Sequence, residues 1–96
     1  MITEETKNKI IALAAAIRPN AKIYLFGSQA RGTASQSSDI DIALDEGQRI
    51  SRFDIAEIKE IIEASRIAKR VDVVDLYSVP EGMREEIIKE KIVWKN

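Results

Sequence analysis

Within this 96-residue chain the run Asp39-Ile40-Asp41-Ile42-Ala43-Leu44 restricts the fold more than any other segment. Alternation of this kind specifies a strand, because successive side chains leave a strand on opposite faces. Ile40, Ile42 and Leu44 then share one face, and Asp39, Asp41 and Ala43 share the other. A strand covered on both sides is apolar almost throughout. This one carries two carboxylates on a single side, so that side faces water or a ligand and the helices belong on the opposite one.

The neighbouring segments supply the rest of a layered fold. Thr3 can cap a helix whose apolar positions Ile10, Leu13, Ala14 and Ile17 recur at helical spacing, and Pro19-Asn20 stops it. Lys22 to Phe26 is β-branched and aromatic and reads as a strand ending at Gly27. The Ser-rich stretch Ser28 to Ser38 is a loop or the start of a short helix. Ser51 with Asp54 resembles a capping box, opening a helix with Ile55, Ile58, Ile61, Ile62 and Ser65 along one stripe. Val71 to Leu76 is a third strand. Pro80 leads into a helix carrying Met83, Ile87 and Ile88, and Lys91 to Lys95 is strand-like. The expected fold class is α/β, of the α+β kind: a small mixed β-sheet with helices on one face, in a single domain spanning residues 1–96.

Composition removes whole classes of chemistry. The chain has no Cys and no His, which excludes a disulfide framework, a thiol nucleophile, a Ser-His-Asp triad and an imidazole metal ligand. Catalysis would therefore rest on carboxylates, hydroxyls, Lys and Arg, backbone amides and a borrowed metal. With 15 Lys+Arg against 16 Asp+Glu the net charge is −1, which gives no global attraction to a phosphate backbone, so direct nucleic-acid binding is not expected. The apolar stretch Ile10 to Ile17 is too short to span a bilayer and no signal-peptide pattern opens the chain. A cytoplasmic protein with no membrane association is expected.

Two features can carry chemistry. On one strand Asp39 and Asp41 stand ~6.6 Å apart and project the same way. Their mutual repulsion is about 2–3 kcal/mol at an effective dielectric near 20. A divalent cation reverses that cost, and Mg²⁺ suits it, since it commonly sits between one or two carboxylates and substrate phosphates. The alternative is a solvated acidic face on an edge strand. The loop Gly27-Ser28-Gln29-Ala30-Arg31-Gly32 is the second feature. Gly27 permits close backbone approach, Ser28 and the following N–H groups can hold phosphate oxygens, and Arg31 can pair with phosphate or a carboxylate. Its spacing begins like a P-loop, but Thr33 stands where Lys is required, so a Walker-type NTPase is rejected.

Taken together, Gly27-Ser28-x-x-Arg31-Gly32 followed by Ser38-Asp39-Ile40-Asp41-Ile42 resembles the signature of the DNA polymerase β-like nucleotidyltransferases. The sequence is most similar to the short, single-domain members, the minimal nucleotidyltransferases, from its first strand to its last. The resemblance implies a palm-like fold, nucleotide binding by Gly27, Ser28 and Arg31, and catalytic, metal-holding roles for Asp39, Asp41 and Asp72. It also implies Mg²⁺ as cofactor, ATP as substrate, and a role as the antitoxin of a toxin–antitoxin pair. The partner would be a helical HEPN-type ribonuclease toxin that receives AMP on a tyrosine.

The residues themselves leave the third acid between Asp72 and Asp75, which are three apart and point to opposite faces of a regular strand. Against helices, Asp72 would be a buried unpaired charge, and on the open face it would sit near the metals with Arg70 on the same side. The resemblance likewise selects Asp72, leaving Asp75 a structural role. Met83, Val93 and Trp94, near the C-terminus, are the local hints of a partner-facing apolar surface, and core packing is the reading preferred for them. Two other functions stay open: a binding-only antitoxin, and a small-molecule nucleotidyltransferase acting as an oligomer. Homo- or hetero-oligomerisation is likewise open.

Overall fold

Thr3 opens the first helix as expected, its hydroxyl accepting the Thr6 N–H at 3.1 Å. In the computed structural model, which describes residues 2–96, the elements run α1 (Glu4–Ile17), β1 (Lys22–Phe26), α2 (Ser28–Arg31), β2 (Ile40–Asp45), α3 (Arg52–Ala64), β3 (Val71–Asp75), α4 (Glu81–Glu90) and β4 (Ile92–Lys95). Met1, counted in the 1–96 domain expectation, lies outside the described residues. The Ser-rich stretch does start a helix, the single turn α2. Ser51 caps α3 by accepting the Phe53 N–H. Asp54 does not close the box, because it is drawn instead to Arg18 Nη1 at 3.0 Å.

The strands form one mixed sheet in the order β3-β2-β1-β4. β1 pairs antiparallel with both β2 and β4, while β2 and β3 are parallel. Parallel neighbours need a crossover connection, which α3 provides. β2 is therefore an interior strand, and the edge-strand explanation of its acidic side does not apply.

The main core lies where the alternation puts it. Ile40, Ile42 and Leu44 of β2 join Ile23 and Leu25 of β1 and Val73 of β3, under Ile10 and Ala14 of α1 and Ile55, Ile58 and Ile62 of α3. Each such side chain, once fully buried, contributes about 1.5–3 kcal/mol.

Helices do not keep to one face, however. A second, smaller core on the opposite face joins Tyr24, Phe26 and Ala43 to Leu76 and to Ile87 of α4. The physical reason is plain in β1. Tyr24 and Phe26 project to the same side as Asp41, and two aromatic rings left in water would forfeit their burial. α4 covers them and delivers the chain to β4 at the far edge. Met83 and Val93 are exposed, at 39% and 43%, contrary to the preference for core packing. β4 is an edge strand whose Trp94 packs on the α1–α3 core, while Val93 points to the other side.

Candidate functional site

Strand register assembles the site. Asp41 lies opposite Phe26 of β1 on one side and opposite Asp72 of β3 on the other. Both acids are half-buried on the face away from the main core. Asp39 lies just before β2 and is exposed. It is placed by a Ser turn in which the Ser35 N–H donates to Ser38 Oγ and the Ser38 N–H donates to Ser35 O. The Ile40 N–H donates to Arg70 O at 2.8 Å, locking the starts of β2 and β3 together.

The three acids act on one another. Burial pushes the Asp41 carboxyl above its ordinary value, and the charges of Asp72 and Asp39 push it further. Arg31 opposes this from the loop. Among the described residues no trio of acidic side chains closes into a preformed metal cage.

Gly27 follows β1 directly, with φ +77°. A Cβ built there would stand 2.3 Å from Asp41 Oδ2. The Asp41 carboxylate thus lies against bare backbone, and only glycine fits in both conformation and space. Ser28 begins α2 half-buried, and Arg31 ends it, exposed. Gly32 closes the turn in the left-handed region, its N–H bonded to Ser28 O. The phosphate-loop candidates Gly27, Ser28 and Arg31 and the acids Asp39, Asp41 and Asp72 therefore meet at one end of the sheet.

Asp75 lies elsewhere. It faces the α3 side, is 5% exposed, and accepts the Ile50 N–H at 2.8 Å, the Tyr77 N–H at 3.1 Å and the Ser78 hydroxyl at 2.7 Å. A buried carboxylate with three donors is satisfied, and it ties the loop before α3 to the end of β3.

Sequence reasoning missed Glu90, the last residue of α4. Its carboxylate accepts the Gly27 N–H at 2.9 Å and Arg31 Nη1 at 3.0 Å. The Gly27 hydrogen bond, with help from Arg31, holds it below the usual carboxylate range. No local pattern announces this contact, because it depends on α4 crossing the face that the strand pattern left open. Tyr24 likewise makes contacts that its strand pattern does not announce. Its hydroxyl donates to Asp45 at 2.6 Å and Lys91 Nζ lies 4.2 Å from its ring centre, while burial and Asp45 push the phenol up to about 12.

A mixed sheet with paired acids at the N-terminal ends of β2 and β3, facing a glycine-serine turn after β1, defines a nucleotidyltransferase-type fold. The chain belongs to the family described as polymerase beta, nucleotidyltransferase, which residues 8–96 match. It is similar to the protein adenylyltransferase MntA of Shewanella oneidensis, 37% identical over a 93-residue alignment that covers 92% of this chain and 64% of that protein. The chain thus spans just under two thirds of that relative's length. Among solved structures, a chain in a toxin–antitoxin crystal structure with AMP-PNP superposes with a TM-score of 0.76 and 32% identity, over 92% of this chain and 71% of that one. A chain in the structure of the tri-AMPylated Shewanella oneidensis HEPN toxin in complex with MNT antitoxin gives 0.69 and 29%, over 92% and 67%.

Proposed function

We propose that the chain is a Mg²⁺-dependent protein adenylyltransferase that moves AMP from ATP onto a side-chain hydroxyl, a tyrosine of a HEPN-type helical toxin, and so acts as an antitoxin. In this reading residues 1–96 work as one catalytic domain in the cytoplasm. No helix among the described residues is long and apolar enough to cross a membrane. The observation that carries the reading is the Asp41–Asp72 register pair standing beside the Gly27 backbone. The similarity to MntA and to a toxin–antitoxin chain with AMP-PNP supports the nucleotide and the partner class.

Each residue then has a task. Asp39, Asp41 and Asp72 would hold Mg²⁺, and a cation there would offset the burial and like charges that raise the Asp41 carboxyl. Mg²⁺ supplies charge neutralisation at the attacking and leaving oxygens. Gly27 lets backbone approach the triphosphate, Ser28 donates its hydroxyl to a phosphate oxygen, and Arg31 adds a cation at the loop's end. The acceptor hydroxyl oxygen bonds to the α-phosphorus, the bond to the bridging oxygen of the β-phosphate breaks, and pyrophosphate leaves. The hydroxyl proton passes to the carboxylate cluster, with Asp72 the proposed acceptor. No protein nucleophile is required, which agrees with a chain lacking Cys and His.

Incubation with ATP labelled at the α-phosphate, Mg²⁺ and a purified HEPN-type toxin tests this directly. Label on the toxin and loss of its nuclease activity are expected. Inhibition without label would mean masking by binding alone, and label on small acceptors only would mean a small-molecule transferase.

A further inference from the structure

Metal and nucleotide binding leave one contact at the site unexplained. Glu90 arrives on α4 from across the sheet, and its two oxygens grip Gly27 N–H and Arg31 Nη1. Those residues are the N-cap and the last residue of α2, so one carboxylate spans the whole turn. The Glu90 side chain is 18% exposed, whereas Arg31 is 52% exposed and owes its placement to this ion pair. Arg31 also stands close enough to Asp41 for the two charges to interact. An Arg released from Glu90 has three further anions at hand, namely Asp39, Asp41 and Asp72. A guanidinium settled on them would neutralise the charge that a cation has to meet.

We propose that Glu90 is a positioning residue for the transfer reaction: it clamps Gly27 and Arg31 together, fixes the nucleotide loop, and keeps Arg31 off the metal-holding acids. The inference deepens the proposed function and rests on it. Glu90 makes its hydrogen bonds to Gly27 and Arg31, not to the acids, and its charge is felt at Asp41. Its two partners sit at opposite ends of α2, so its loss loosens the turn and redirects the cation in one step. Lys91, next along, sits over the Tyr24 ring and docks the same end of α4 on the sheet.

The whole chain carrying Glu90→Gln tests the clamp. Gln is nearly isosteric and keeps an oxygen for Gly27, but it cannot ion-pair with Arg31. Thermal melting first establishes that the variant is folded. In nucleotide-free, metal-free protein, ¹⁵N NMR of the Arg31 side chain and the Gly27 amide should show both signals displaced and the Gly27 amide exchanging faster with solvent. In the transfer assay, the Mg²⁺ concentration for half-maximal rate and the KM for ATP should each rise about tenfold, the scale of one charge-assisted hydrogen bond. The kcat at saturating Mg²⁺ and ATP should stay within about twofold, because uniform binding is lost and no contact to the transition state is. Glu90→Asp, which keeps the charge on a shorter stem, should recover part of the Mg²⁺ response. Unmoved Arg31 and Gly27 signals, or an unchanged Mg²⁺ midpoint in a folded, active variant, would overturn the clamp. If even the unsubstituted chain transfers no AMP, the proposed function fails, while the NMR comparison still decides the clamp.

Discussion

Asp41 and Asp75 lie on neighbouring strands but on opposite faces of the sheet. Asp41 is half-buried and crowded by like charges, with Arg31 opposing them only in part, so its ionisation weakens the fold. With the carboxyl raised from 3.8, this cost is present in full above the raised value and disappears as pH falls through it. Asp41→Asn should therefore melt higher than the unsubstituted chain in metal-free buffer near pH 7. The gain is at most ~1 kcal/mol after allowance for solvent screening, or a few degrees. Thermal melts in chelator check this, and the gap should close on acidification. The same variant should lose ~10²–10³-fold in transfer rate. Asp75→Ala should do the reverse. It strands three donors around a buried site, so about 2–4 kcal/mol of stability should be lost in chemical denaturation. Ser28→Ala removes one hydroxyl donor and should weaken ATP binding by ~0.5–3 kcal/mol with an unchanged melt, read by calorimetric titration.

At the scale of elements, α4 separates what the sequence discloses from what it conceals. The strand Asp39 to Leu44 is legible because a period of two on a half-polar strand has one meaning. Its parity alone placed Asp39 and Asp41 away from the main core. The Gly27-Ser28 turn was legible through its composition. The side on which α4 packs was not, since an amphipathic helix shows that it has an apolar stripe but not which sheet face receives it. Hence neither Glu90 nor the small core around Ile87 was foreseen. Ile87→Ala should cost ~2–4 kcal/mol, because α4 covers Tyr24 and Phe26 and the site's clamp hangs from it. Arg18 is another element-scale contact hidden from local pattern. It joins the end of α1 to Glu46 and to Asp54 in the first turn of α3. The Arg18 hydrogen bond holds Glu46 below its ordinary 4.5, so this contribution is complete above that value and is lost as pH falls through the lowered one. Glu46→Gln should melt below the unsubstituted chain at neutral pH, with the difference shrinking below about pH 4.5 in a melt series.

Over the whole molecule, a near-neutral chain concentrates its chemistry at one end of one sheet. The main core under α1 and α3 makes β2 and β3 rigid, and rigidity is what a metal-clamped phosphoryl transfer needs from its protein. In the proposed reaction Asp72, placed by register beside Asp41, belongs to the reacting centre, whereas Asp75, three residues on, holds the fold. The most direct measurement is the intact mass of a HEPN-type toxin after incubation with ATP, Mg²⁺ and either the unsubstituted chain, Asp72→Asn or Asp75→Asn, with each variant first shown to be folded. AMP should be added by the unsubstituted chain and by whatever fraction of Asp75→Asn remains folded, and none by Asp72→Asn. A well-folded Asp72→Asn that modifies the toxin normally, beside a well-folded Asp75→Asn that does not, would contradict that assignment.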